Sequence, residues 1–174
     1  MAMTGGIQKR SLALFLLLVI AVAAALMVRW ALAPPEPGIE IVDATGAARI
    51  ATLSDMRHYT AIERRGSYQN QFGNWGGEGV YRGPLLRDLL DSEYSAVEVI
   101  AADGYRVIIE RHRVEDLAYP IVLAYCVDGA CVPDVADGFR IAVLPEDGGV
   151  SNAEYGADSA GSFWVRDVVR LVLE

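Results

Sequence analysis

The sequence predicts a mixed, mainly β domain with a few short helices, preceded by one N-terminal transmembrane helix. Three observations predict it. An 18-residue block without a charge, "SLALFLLLVIAVAAALMV" (11–28), stands near the start. The remainder alternates short β-branched runs with glycine and aspartate turns, and outside the apolar block a single leucine-striped stretch reads as a longer helix. At 174 residues the chain has room for one core and an accessory segment.

The apolar block is long enough to span a bilayer, since a helix of about 20 residues covers about 30 Å. Lys9 and Arg10 precede it and only Arg29 follows, which places the N-terminus in the cytoplasm and residues 34 onward outside. A cleaved signal peptide is the rival, with "ALA" (31–33) as the cleavage motif. Pro34 disfavours that cut, because its ring fits badly where a protease holds the chain extended. The reading is therefore a cytoplasmic N-terminus and anchor over 1–33, a proline-rich linker "PPEPG" over 34–38, and an extracytoplasmic domain over 39–174, in the periplasm or outside the cell, held at the cell inner membrane by a single pass.

Three of the 15 basic residues lie in 1–33, which leaves 12 against 23 acidic ones beyond it, a net charge of −11. Such a surface repels phosphate backbones and anionic headgroups, so nucleic acid is excluded as a partner. The anchor is the expected membrane contact.

Residue by residue, Ile39 to Val42 and Ala47 to Ile50 read as strands joined at Gly46. Thr52 followed by Asp55 reads as a capping box that opens a short helix to about Arg57. "TAIERRGSYQ" (60–69) alternates as a strand, and "NQFGNWGGEG" (70–79) reads as a glycine-rich loop. "GPLLRDLLDSEY" (83–94) suits a helix with Pro84 at its first position and Leu85, Leu86, Leu89 and Leu90 on one stripe. "SAVEVIAADGYRVIIER" (95–111) reads as a hairpin turning at Asp103-Gly104, and "RVEDLAYP" as one helical turn. "IVLAYCVDGACVP" (121–133) reads as a second hairpin, "GFRIAVLP" as a strand, "EDGGVSNAEYGADSAGS" (146–162) as an exposed loop, and "FWVRDVVRLVLE" as one or two terminal strands.

The only two cysteines, Cys126 and Cys131, flank "VDGA". With Asp128-Gly129 at the centre of a type I′ turn, the two cysteines become a non-hydrogen-bonded pair, whose Cα atoms stand about 4.5 Å apart and within reach of a disulfide. Such a bridge over a short loop contributes roughly 2 kcal/mol and clamps a hairpin rather than a domain. The alternatives are a zinc site with His58 and His112, or a redox-active dithiol. The spacing favours neither, since the four-residue gap is at the limit for a ligand pair and the CxxC spacing is missing.

Four pieces in order, "TLSDMRHYTAIE", "YRGPLLRDLL", "ADGYRV", and "DGFRIAVLP" followed at a distance by "FWVRDVVRLVLE", resemble the molybdopterin-binding domain of the sulfite oxidase superfamily, from about Ile39 to Glu174. The resemblance implies an α+β fold with strands wrapped around a few short helices. It also implies a molybdenum-ligating cysteine after the first helix, but the matching stretch is "RRGS", with Arg64 at that position. A guanidinium is always protonated and offers a metal no lone pair. Arg64, Arg65, Ser67, Tyr68 and Asn70 fall where the family places its pterin, and arginine pairs suit phosphate or carboxylate. Neutralisation of neighbouring carboxylates is the plainer role for the two arginines.

Other chemistry finds little support. His58 and His112 stand alone, Ser67 has no visible base, and "GNWGGEG" lacks the lysine of a phosphate loop. Trp75 and Trp164 read as packing anchors. The expectation is a non-catalytic binding domain that takes a small anionic ligand or a partner protein around Arg64 to Asn74, with no metal and no cofactor expected. Molybdopterin is the one cofactor the resemblance leaves open. The alternative is a molybdopterin-dependent oxidoreductase with an atypical metal site lacking the cysteine. If the anchor reading holds, the full chain stays in the membrane pellet after high-salt washing while protease added to spheroplasts digests residues beyond 38. A chain released with the periplasmic fraction contradicts it.

Overall fold

Turn chemistry sets most of the strand borders. The computed structural model describes residues 15, 18–24, 27–29, 34–90 and 93–174. The chain divides into two compact units, Met1–Pro35 and Glu36–Glu174. Residues 11–14, 16–17 and 25–26 of the expected span lie outside the described residues; 18–24 and 27–29 are helical, and among the described residues no helix is long and apolar enough to cross a membrane.

In the second unit, β1 (Gly38–Val42) turns back into β2 (Ala48–Thr52). The Asp43 carboxylate closes the turn by accepting from the Thr45 hydroxyl at 2.6 Å and the Ala47 N–H at 3.0 Å. Those same bonds, the Thr45 hydroxyl first, hold the Asp43 carboxyl below its ordinary pKa. Helix α1 (Leu53–Arg57) starts with the expected capping box: Asp55 N–H donates to Thr52 Oγ1 at 3.1 Å, and Thr52 N–H donates to the Asp55 carboxylate at 2.9 Å. Its buried residues, Leu53 and Met56, lie three apart on one face.

Strand β3 (Ala61–Gln69) pairs with β4 (Trp75–Pro84), and here the structure corrects the sequence. The glycine-rich stretch is a tight turn at 70–74, where Asn70 Oδ1 accepts from the Phe72 and Asn74 N–H groups, followed at once by strand. Gly77 serves close packing: a Cβ there would stand 2.3 Å from the Tyr68 ring. The leucine stretch is not an α-helix either. Pro84 still pairs with Ala61, Leu85 bridges Val122, and only a 3-10 turn over Leu86–Leu89 follows. The chain arrives extended, and Leu86 and Leu89 are buried three apart, the period of a 3-10 turn.

Strands β5 (Ala96–Ala101) and β6 (Arg106–Glu110) form the expected hairpin, with Gly104 at φ +87°. One helical turn, α2 (Arg111–Val114), follows. The second expected hairpin is shorter than read. Only β8 (Cys126–Val127) and β9 (Ala130–Cys131) fold on each other, whereas β7 (Ile121–Ala124) pairs with β10 (Arg140–Val143). All four residues of β7 are buried, as expected of an apolar run enclosed on both faces.

The 146–162 segment is also corrected. It carries α3 (Asn152–Tyr155), capped by Ser151, and a second 3-10 turn over Ala160–Phe163. Val150 and Ala160 are fully buried, and Val150 exchanges backbone bonds of 2.9 Å with Ser67 and Gln69. Strand β11 (Val168–Leu173) ends the chain.

The strands form a five-stranded sheet, β2-β1-β11-β5-β6, with β1 and β11 parallel; a four-stranded sheet, β3-β4-β8-β9; and the β10-β7 pair. Their inner faces share one core, in which Ile39, Val97 and Leu171 meet Leu86, Leu123, Ile141 and Tyr81. The arrangement is mainly β with few helices, consistent with the mixed sulfite oxidase-like fold that the resemblance implied.

Strand β4 crosses β7 at Gly83 so closely that a Cβ there would stand 2.0 Å from the Leu123 carbonyl oxygen. Neither backbone has room to retreat, since Tyr125 N–H donates to Arg82 O at 2.9 Å beside it. Gly83→Ala is therefore expected to cost about 3 kcal/mol or more in urea unfolding, while Gly46→Ala, where no atom lies within 4 Å of the added Cβ, loses only what its φ of +86° demands.

Candidate functional site

The pairing of β3, β4, β8 and β9 decides which side chains share a face. Glu63 stands opposite Arg82, Arg82 opposite Cys126, and Cys126 opposite Cys131. One residue along, Arg64 stands opposite Tyr81 and Tyr81 opposite Val127. Because neighbouring residues of a strand point to opposite faces, the two rows face opposite ways. Glu63, Arg82, Cys126 and Cys131 accordingly line one small surface hollow, while Arg64 lies on the side of Tyr81 and Leu144.

The two cysteines are joined in a disulfide, with Cα atoms 3.9 Å apart. Asp128 and Gly129 take φ of +50° and +83°, the type I′ turn that the register requires. Asp128 also ties the hairpin to β4, its N–H donating to Val80 O and its carboxylate accepting from Val80 N–H, both at 2.8 Å.

The five residues expected at a cofactor edge do not converge. Arg64 donates from Nη1 to the Leu144 carbonyl at 3.1 Å and holds Glu146 at 3.9 Å. Arg65 is exposed and pairs with Glu78 at 3.0 Å. The Ser67 hydroxyl donates to Gly148 O at 3.3 Å. Tyr68 packs its ring against Trp164, centroids 5.1 Å apart. Asn70 closes the β3–β4 turn, and its carbonyl accepts from Asn152 Nδ2 at 2.8 Å. Arg64 and Ser67 both fasten the 144–148 segment to β3; Tyr68 and Asn70 fasten the segment from Asn152 to Trp164.

These donors do not fit a molybdenum held by a protein thiolate. The chain has two sulfhydryl positions, both are in the bridge, and the bridge lies on the face away from Arg64. Arg64 itself can only donate. Among the described residues no three His, Cys, Asp or Glu side chains are grouped to hold a metal ion.

A cleft of about 570 Å³ lies beside Arg64's partner Glu146, lined by Trp75 from β4, by Leu117, Ala118 and Tyr119, and by Pro145, Glu146, Asp147, Gly149 and Glu154. The Trp75 ring lies on Gly149, where a Cβ would meet it at 3.1 Å. Sequence reasoning missed this cleft. Trp75 read as an anchor and 146–154 as a loose loop, and the three lining segments are separated by tens of residues.

A separate polar chain links β10 to β4. Arg140 Nη1 donates to the Tyr81 hydroxyl at 3.2 Å, which donates to Gly77 O at 2.6 Å, and Arg140 Nη2 pairs with Asp137. Burial pushes the Tyr81 phenol above its ordinary pKa, with Arg140 opposing, and burial likewise raises Tyr155, which stacks under Arg113 at 4.5 Å.

Scans against protein-family models and against curated proteins find no match. Among solved structures, the chain is similar to the sulfane dehydrogenase SoxCD from Paracoccus pantotrophus, at 15% identity and a TM-score of 0.52. The match covers 78% of this chain and 37% of that one, so the chain spans well under half the length of that relative. Likeness at this level speaks for the fold alone.

The raised phenols give a pH dependence. Below about pH 10 both states keep Tyr81 and Tyr155 protonated. Above it the unfolded chain releases protons that the folded chain retains, so stability falls as pH rises toward the folded pKa values. Unfolding midpoints are expected to drop as pH rises above about 10, with a shallower drop in Tyr155→Phe; an unchanged slope in that variant contradicts the assignment.

Proposed function

We propose that this chain is a non-catalytic binding domain with a sulfite oxidase-like fold, tethered at the outer face of the inner membrane, that engages a partner protein. The observation that carries the reading is Arg64, a permanent cation committed to the Leu144 carbonyl at the position where the family resemblance implies a metal-ligating sulfur. The hairpin disulfide on the opposite sheet face supports it, since no second sulfur can substitute. An N-terminus in the cytoplasm and a domain in the periplasm or outside the cell follow from the charge-free block and its flanking cations.

A small anion bound at Arg64 to Asn70 is the weaker form of this reading. Arg64 and Arg65 already face a carbonyl and two carboxylates, Glu146 and Glu78, and an incoming anion would have to displace them. An enzymatic reading, with a molybdopterin lacking any protein sulfur ligand, draws support from the likeness to a sulfane dehydrogenase. In that case the pterin would supply redox chemistry at its metal, and this chain's residues would do no more than cradle it.

Metal analysis separates the two. Full chain purified from cells that assemble molybdenum cofactor is expected to carry far less than one molybdenum per chain. Stoichiometric molybdenum overturns the binding reading.

A further inference from the structure

We infer that the cleft between Trp75, Tyr119 and the 145–154 segment is a docking groove for a short basic segment of a protein partner, one presenting arginine or lysine beside apolar side chains. This gives the partner of the proposed function its chemistry, while the groove's geometry stands apart from the question of molybdenum.

Charge complementarity points to this occupant. Glu146, Asp147 and Glu154 line the cleft, and no Arg, Lys or His does so among the described residues. Glu146 is 90% exposed and its contact with Arg64 is long, at 3.9 Å, so its charge is largely free to act on a ligand. The net charge of −11 beyond residue 33 adds a field that draws cations toward it.

The aromatic wall sharpens the choice. Trp75 is 56% exposed yet held in place, seated on Gly149 and fixed by its pairing with Gln69, so its indole stays presented in the cleft. A guanidinium or ammonium over such a ring gains from the ring's negative face while carboxylates meet its N–H donors. Leu117, 69% exposed and also lining the cleft, offers an apolar contact for a neighbouring side chain of the same segment. A bare divalent ion fits poorly, because the carboxylates are not grouped around one metal-sized point. An open volume of about 570 Å³ exceeds what one side chain fills, which favours a segment over a single small cation.

The test titrates the full chain, in mild detergent, with fluorescent hexa-arginine and follows anisotropy, with hexaglutamate as the charge-reversed control. Trp75→Ala, and separately Glu146→Gln with Asp147→Asn, are each expected to weaken hexa-arginine binding roughly tenfold. Glu63→Gln with Glu110→Gln removes the same charge elsewhere and is expected to change it less than about twofold. Far-UV circular dichroism confirms that each variant folds. Three results overturn the inference: no binding of hexa-arginine; equal weakening by both charge-removing pairs, which means only the general field acts; or acetyl-arginine amide binding as tightly as the hexapeptide, which means the cleft takes a small cation. A chain that holds stoichiometric molybdenum and still shows the expected variant pattern overturns the non-catalytic reading and sustains this one.

Discussion

In the β3-β4-β8-β9 sheet, the two-residue alternation of strand side chains separates two sets of groups that the sequence leaves undistinguished. Glu63, Arg82, Cys126 and Cys131 share one row, and Arg64, Tyr81 and Val127 the next. The first row carries the exposed Glu63–Arg82 pair and ends in the disulfide, whose Cys126 is buried. The second turns inward, where Tyr81 meets Trp164 edge-on with ring centroids 5.0 Å apart and Arg64 reaches Leu144. A register slip of one residue would exchange the two faces. It would expose Tyr81 and bury a charged pair, so the buried aromatic contact and the hairpin turn enforce the same register from two sides.

The seam at Gly83 joins that sheet to the rest. With no side chain there, β4 lies against β7, and β7 in turn pairs with β10, which leads into the 144–150 segment. That segment then returns to β3 through Arg64, Ser67 and the Val150 bridge. The acidic segment that lines the cleft is therefore tied to β3 by two side-chain hydrogen bonds and one backbone bridge. The glycines at 77 and 161 contribute in the same way, letting the Tyr68 ring lie against the chain.

Local chemistry was legible where a turn or cap can be satisfied by a few neighbouring residues. Asp128-Gly129 set the hairpin register and with it the cysteine pairing, and Thr52 with Asp55 set the first helix. Legibility failed where tertiary contact decided the outcome. The leucines of 85–90 have a helical spacing, but Leu85 bridges Val122 and pulls the chain extended. Glycine-rich composition read as a loop in 70–79 and as an exposed loop in 146–162, although Gly77 and Gly161 mark close packing and Val150 and Ala160 reach the core. Arg64 stood out only through the family resemblance. The cleft had no local signature, because Trp75, Tyr119 and Glu146 come together only once β3, β4 and the late segment are assembled.

The account turns on sulfur that is closed off and facing away from Arg64. Alkylation of unfolded chain, isolated from cells without reductant, followed by intact mass measurement reads this directly. No alkylated cysteine is expected before reduction, and two are expected after it. Two alkylated cysteines before reduction would contradict it, because a free thiolate could then be offered to a metal.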